Sequence, residues 1–429
     1  MARKLITFLG TGKYGPCFYH LNDIYAIETK FVQEAIIDIY HKLEIPIDEF
    51  HILLTKKATE NNWLGEDGLF NSLRKYKQKG LRIKTHDISS EQNIDTLWEL
   101  FETIVNIIEK NDQIVFDITH SFRFQPMLAL LSIHFARVTK NILVDGIYYG
   151  VYDKDAKVKK FPIIDLTSFV DMQDWITNVY AFTKTGRVEG LVSWIQEKDN
   201  EIRREERRTT IDLKLVRQLT KSWHQLMSAL QTNRSLDIPK KAVTAVNSIE
   251  ALKDVMLRPV FLPLNDLLTD VEDDIKPMAV DDPVISGLAA IEWCYKHGLY
   301  QQAYTLADEL IITAICLKYN LKVNDEDDRN IANDAKNFAI KIHKKTIKHQ
   351  LDFTDENGHI VQKIIDELLG YPKLLNIADR INDNRNDINH AGWRKHPLSA
   401  EKLEEQFDER YMNFRKQILQ YYQTTILVK

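Results

Sequence analysis

Arg385-Asn386-Asp387-Ile388-Asn389-His390 sets an arginine and a histidine five positions apart, with an amide directly after the arginine. Such a set suits phosphodiester chemistry without a metal. An imidazole titrates near pH ~6.5 and can move a proton at neutral pH. A guanidinium stays cationic and forks onto a phosphate or its transition state. Five positions along a helix turn through about 500°, so the two side chains project roughly 140° apart. They converge more easily at a helix start, or with a second copy supplied across a symmetric interface. Ala391-Gly392 follows and lets another backbone come close. Arg-x4-His arises by chance about once in a chain of this length, and a capped helix start with a surface salt bridge is the plain alternative. The surrounding elements must therefore carry the inference.

Two polar segments upstream look like ligand loops. Gly10-Thr11-Gly12-Lys13-Tyr14-Gly15 follows an apolar run at 5–9 and formally matches GxGxxG. A dinucleotide site would need a helix starting on the glycines and an acid after the second strand. Here Pro16 and Phe18-Tyr19-His20 delay the helix to about Thr29, and the second strand ends in Thr55-Lys56-Lys57. Backbone amides that approach phosphates remain a reading of the glycines, and a tight turn without ligand is the alternative. Thr119-His120-Ser121-Phe122-Arg123 leaves a buried strand and leads into a helix at Pro126. Hydroxyls, exposed amides and an arginine at such a junction suit phosphate or ribose. No HExxH spacing is present, His343 and His349 read as a solvated helix surface, and Cys17, Cys294 and Cys316 form no zinc pattern. No metal site and no cofactor are expected.

The elements that position these residues change character along the chain. Residues 1–165 alternate strands (5–9, 50–54, 81–85, 114–118) with amphipathic helices, and close on a hairpin of 142–152 with 161–164. That order predicts a mostly parallel, Rossmann-like sheet covered on both faces, with the hairpin as an antiparallel edge. Ligands in such sheets bind beyond the carboxyl ends of the strands, where both polar loops fall. From about residue 166 the pattern is helical. Residues 242–268 read as one amphipathic stretch, 270–282 as an acidic linker, and 281–429 as an all-α unit. The expected division is 1–165, a helical linking region 166–280, and 281–429.

The chain has 429 residues, a formal charge of −5 and a pI near 6.3. These values argue against a bulk electrostatic nucleic-acid binder and for a local basic pocket. No apolar run reaches membrane-span length and no signal-peptide core opens the sequence, so a cytoplasmic protein without membrane contact is expected.

Four motifs occur in order: the 5–15 strand and glycine loop, Glu28-Thr29-Lys30-Phe31-Val32-Gln33-Glu34-Ala35, Asp117-Ile118-Thr119-His120-Ser121-Phe122-Arg123, and the 385–392 segment. Together they resemble the CRISPR-associated accessory proteins of type III systems, which join an N-terminal CARF domain to a C-terminal HEPN ribonuclease domain. The resemblance implies a homodimer, or a higher oligomer, that binds a cyclic oligoadenylate, usually the tetra-adenylate, across its two-fold axis. It implies a composite, metal-independent endoribonuclease acting on single-stranded RNA in antiviral defence. Carried onto this sequence, Arg385, Asn386 and His390 become catalytic. Gly10, Thr11, Gly12 and Lys13, Thr55 and Lys56, and Thr119, His120, Ser121, Phe122 and Arg123 become ligand-binding. Some relatives also cleave their activator, for which His120 or Ser121 would serve. Three other readings compete: a ligand-sensing scaffold without nuclease activity, a HEPN toxin not governed by cyclic nucleotide, and third a dinucleotide oxidoreductase.

Overall fold

The computed structural model describes residues 2–91, 93–120, 124–206, 210–347 and 356–426. It divides into two compact units, Met1–Asp174 and Trp175–Lys429. In the first, the strands are β1 (Arg3–Phe8), β2 (Cys17–Leu21), β3 (Ile24–Thr29), β4 (Glu49–Leu54), β5 (Arg82–Asp87), β6 (Gln113–Asp117), β7 (Leu143–Gly150) and β8 (Lys160–Asp165). They form one sheet of eight strands in the order β3-β2-β8-β7-β6-β1-β4-β5. The pairs β1/β4, β1/β6, β4/β5, β6/β7 and β2/β8 are parallel, while β2/β3 and β7/β8 are antiparallel.

Side chains alternate across β1 as the pleat requires. Leu5 packs with Phe50 and Ile52 under the helix Val32–Lys42, while Ile6 and Phe8 face the helices Ile94–Ile107 and Gln125–Lys140. The central strands are apolar on both faces because helices cover both.

The expected sheet forms, but its edge differs. The β7/β8 hairpin is interior, because β2 pairs with β8 and β3 lies outside β2. Residues 17–29 carry β-branched and aromatic side chains around a turn at Asn22, whose φ of 50° favours asparagine. This hairpin, and not a long loop, separates the glycines from the helix, which starts at Val32.

On β4 and β5, a buried carboxylate gathers bases. Glu49 accepts from Arg82, Lys84 and His51, and His51 Nδ1 meets His86 Nε2 at 3.0 Å. Burial pushes Glu49 up, but the hydrogen bonds from Lys84, His51 and Arg82 bring it down to about 2. Burial takes His51 down to about 4 against the pull of Glu49. A folded pKa below the unfolded one means that the unfolded chain binds the proton first. The His51 contribution, at most about 3 kcal/mol, is complete above pH ~6.5 and disappears as pH falls toward 4. The protection factors of the β4 amides, taken relative to the intrinsic exchange rate at each pH, are expected to fall over that window, and His51→Gln is expected to flatten the response.

In the second unit the described residues are helical and share one apolar core, with Trp223, Phe261, Tyr304 and Phe407 among its members. That core continues across residue 280. The acidic stretch 270–282 is not a linker. The helix Leu264–Ile275 buries Leu267, Leu268, Val271 and Ile275 and turns Asp270, Asp273 and Asp274 outward. These three aspartates are the solvated face of an amphipathic helix, while Glu272 is buried and pairs with Lys253. A break at Pro259–Phe261 separates it from the helix Ile238–Lys253, so 242–268 is two helices. No helix among the described residues is long and apolar enough to cross a membrane.

Candidate functional site

β1 sits between β4 and β6, so the carboxyl ends of these three strands meet at the switch point of the sheet. Their exits line a cleft of about 320 Å³, walled by Gly10, Thr11, Gly12, Tyr14, Thr55, Thr119, His120 and Gln125 over a floor of Phe8, Leu9, Leu53 and Ile88. Lys13 and Lys56 are exposed and do not line it. Ser121, Phe122 and Arg123 lie outside the described residues.

The glycine loop is held from behind. Asn62 Nδ2 donates to the carbonyls of Gly10 and Gly12, both at 2.8 Å, and Asn61 Nδ2 donates to that of Thr11 at 3.0 Å. The loop's carbonyl oxygens are thereby occupied away from its amides. Thr55 caps the turn that carries the two asparagines, its Oγ1 accepting from Ala58 N at 3.2 Å. The absence of a side chain at Gly10 makes room for the Tyr14 ring, since a Cβ there would stand 2.1 Å from the Tyr14 hydroxyl and 3.2 Å from His120 Cβ.

Asp117, fully buried at the end of β6, organises the other wall. Its Oδ2 accepts from Thr7 Oγ1 at 2.6 Å and its Oδ1 from the Thr119 amide at 3.0 Å and hydroxyl at 2.5 Å. Thr119 Oγ1 in turn accepts from Gly150 N at 2.7 Å, fixing the threonine against β7. His120 stacks on Tyr14 with ring centres 4.5 Å apart. Burial pushes the imidazole down against the pull of Asp117. Its Nε2 is buried without a hydrogen-bond partner among the described residues. Leaving such a group unpaired costs about 1–3 kcal/mol, which a ligand donor or acceptor would recover.

The second candidate lies at a helix end, not a helix start. Pro372–Asn389 is helical, His390 is its C-cap, and Ala391 and Gly392 take φ of 54° and 72°. Ala391 N donates to Ile388 O and Gly392 N to Asp387 O, both at 3.0 Å, which is a Schellman closure. The last turns of this helix are rich in Asn and Asp, residues whose side chains usually compete with a helix backbone. Those residues are satisfied by tertiary contacts: Asn384 Nδ2 donates to Tyr304 Oη at 3.0 Å, and Asp387 Oδ2 accepts from Leu398 N at 2.8 Å.

Arg385 is half-buried on this helix, its Nη1 3.7 Å from Asp308 Oδ2. Asp308 also accepts from Lys336 at 2.7 Å, and that lysine is 1% exposed. Arg385 Nε is buried without a hydrogen-bond partner among the described residues. The guanidinium is therefore steered by one carboxylate but not saturated. Asn386 Nδ2 donates to Asn382 Oδ1 at 3.3 Å, and His390 is exposed. No group of three or more His, Cys, Asp or Glu that could hold a metal converges among the described residues.

Residues 4–155 match the family model of the CARF domain of CRISPR system endoribonuclease Csx1, and residues 171–278 match that of CRISPR-associated protein MJ1674, second domain. Two separate segments of the chain are thus similar to domains of CRISPR-associated proteins, the first of them a CARF domain. The MJ1674 protein of Methanocaldococcus jannaschii is 34% identical over 111 residues, which are 25% of this chain and 18% of that relative. The chain thus spans less than a fifth of that relative's length in the match. The solved Enterococcus italicus Csm6 bound to cyclic hexa-2'-fluoro-hexa-dAMP covers 98% of this chain and 95% of its own, at 14% identity and a TM-score of 0.35. A likeness that remote carries no argument. The CARF match contains every described residue that lines the cleft, whereas Arg385 and His390 lie beyond both matched segments.

Tyr14, Gln125, Asn61 and Asn62 escaped the sequence reading, as did Asp308 and Lys336. Tyr14 sits inside the glycine motif and was findable there. The asparagine pair and the Asp308–Lys336 pair have no local signature, because their partners are distant in sequence.

Proposed function

We propose that this protein is a metal-independent endoribonuclease switched on by a cyclic oligoadenylate, the tetra-adenylate first among them, and that it serves antiviral defence in the cytoplasm. On this reading 1–165 is the CARF sensor, 166–280 transmits, and 281–429 is the HEPN ribonuclease. The observation that carries it is the CARF match over a sheet whose matched strand exits wall a cleft, in one chain with Arg385-x4-His390. A cleft of about 320 Å³ is at the lower end for a single small ligand, and too small to enclose a whole ring. A ring shared by two copies resolves that mismatch, since a two-fold ligand suits an isologous dimer.

A second copy has a surface to use. The helices Ile94–Ile107 and Gln125–Lys140 expose Ile94, Trp98, Met127, Leu131, Phe135 and Val138. Phe101 packs edge-on against both Trp98 and Phe135, which joins the two stripes into one apolar patch. Patches of that kind mark interaction sites.

In the proposed reaction the RNA 2'-hydroxyl attacks the adjacent phosphorus and the P–O5' bond breaks. The products are a 2',3'-cyclic phosphate and a 5'-hydroxyl. His390 moves the protons. Arg385 from each copy stabilises the phosphorane charge, and Asn386 orients the phosphate or the imidazole. Activation requires the ring to bind two dimer states with different affinity.

The test incubates the purified protein with labelled single-stranded RNA, with and without cyclic tetra- and hexa-adenylate, in EDTA. Ring-dependent cleavage that survives chelation and vanishes in Arg385→Ala supports the proposal. Equal cleavage without any ring argues for a constitutive toxin, and ring binding without cleavage argues for a scaffold.

The cleft makes its own prediction. A methyl at residue 10 displaces the Tyr14 hydroxyl, which lies at the far end of a side chain able to move. Gly10→Ala is therefore expected to fold but to lose the Tyr14–His120 stack. The ring concentration for half-maximal activation should rise about tenfold, the equivalent of ~1.4 kcal/mol, with the fully activated rate unchanged.

A further inference from the structure

We propose that Trp393, with the basic residues that follow it, is a stacking platform for an RNA base beside the scissile phosphate, an inference that rests on the ribonuclease reading. Trp393 is 90% exposed, against 61% for Trp98. It is not on a frayed tail. Trp393 N donates to His390 O at 3.0 Å and Arg394 N to Gly392 O at 2.8 Å, so the indole sits one tight turn from the imidazole. Asp387 anchors both ends of the loop, accepting Gly392 N on its carbonyl and Leu398 N on its carboxylate. Arg394 donates to the Asp383 carbonyl at 2.9 Å and reaches its carboxylate at 3.3 Å, which braces the loop from outside.

A rigid, exposed indole exacts a solvation cost unless something covers it. The sequence around it indicates what does. Arg394, partly engaged by Asp383, and Lys395 follow directly, so this turn carries cations in a chain whose formal charge is −5. An apolar ring flanked by cations fits nucleic acid better than the apolar surface of a second copy. A flat π-face accepts any base, and the neighbouring cations track the phosphates. Single-stranded RNA is recognised in this way, by stacking on unpaired bases. With the catalytic imidazole fixed one turn away, the platform would hold the nucleotide next to the bond that breaks. It would thereby set where the strand is cut.

The test uses the full-length protein with activating ring and a short single-stranded RNA of one cleavage site. Trp393→Ala is expected to raise KM by about 10-fold or more, the scale of one lost base stack. Trp393→Phe is expected to recover most of it. An abasic nucleotide beside the cut site should weaken the wild type by a similar factor and leave Trp393→Ala unaffected. Lys395→Ala should shallow the salt dependence of binding by about 0.7 in log–log slope, the value for one phosphate on a single strand. Cleavage by the wild type with KM unchanged in Trp393→Ala would overturn the platform alone. Loss of activity in Trp393→Ala together with dissociation of the assembly, seen by sedimentation, would overturn it in favour of a contact between copies. A wild type that cleaves no RNA under any ring would overturn the ribonuclease reading itself, and this inference with it.

Discussion

Replacing His390 with alanine is expected to lower the single-turnover rate of RNA cleavage by roughly 10²–10⁴-fold, the range that general acid–base catalysis supplies. The fold should not suffer, because His390 is an exposed C-cap whose backbone, and not its ring, closes the helix. Ring binding at the cleft should be unchanged, since the substitution leaves the CARF sheet intact. Arg385→Ala is expected to cost a further class of effect, roughly 10²–10³-fold, through lost charge stabilisation in the transition state. Arg385→Lys should recover little, as an ammonium keeps the charge but not the planar fork. If the site is composite, as proposed, mixing His390→Ala with Arg385→Ala protein should restore part of the activity in heterodimers. A rate within about threefold of wild type in His390→Ala would remove the imidazole from the mechanism.

The sheet was legible because its signal is local. Apolar runs of five or six residues, punctuated by Gly10-Thr11-Gly12 and by Thr119, announce buried parallel strands and their exits. The β2/β3 hairpin was hidden because an aromatic run after proline reads equally as loop. The acidic helix Leu264–Ile275 was hidden because charge density masked a clear inward stripe of Leu267, Leu268, Val271 and Ile275. Site residues followed the same division. Gly10, Thr55, Thr119 and His120 reach the cleft because strand ends place them there, while Lys13 and Lys56, carried over with the same loops, are exposed. Asn61 and Asn62 act on carbonyls about fifty residues away in the chain, a relation that no local motif encodes. The Arg385 motif ends a helix and does not start one for a similar reason: partners such as Tyr304 and Leu398 satisfy the Asn and Asp side chains that would otherwise compete with the helix backbone.

The same long-range logic makes Asp308 the most consequential residue outside the motif. Its carboxylate, on the helix Tyr300–Lys318, is shared between Lys336 at 2.7 Å and Arg385 at 3.7 Å. Asp308→Ala would leave the Lys336 ammonium buried without a counter-charge, which costs about 3–5 kcal/mol. A large fall in the denaturation midpoint is expected, with loss of cleavage. Stability and catalysis can be separated by removing both charges. Asp308→Ala combined with Lys336→Met replaces a buried ion pair with apolar volume, a change that is often neutral or stabilising. The double variant should therefore regain its denaturation midpoint. Arg385 would still lack the carboxylate that steers it, and its Nε already has no hydrogen-bond partner among the described residues. The guanidinium is then free to leave the position that meets the phosphate, and kcat should stay about tenfold or more below wild type, because misplacement of a catalytic group costs rate even when the group is present. Recovery of both midpoint and kcat in the double variant would show that Asp308 serves only to neutralise Lys336. Recovery of the midpoint alone would assign Asp308 as the residue that positions Arg385.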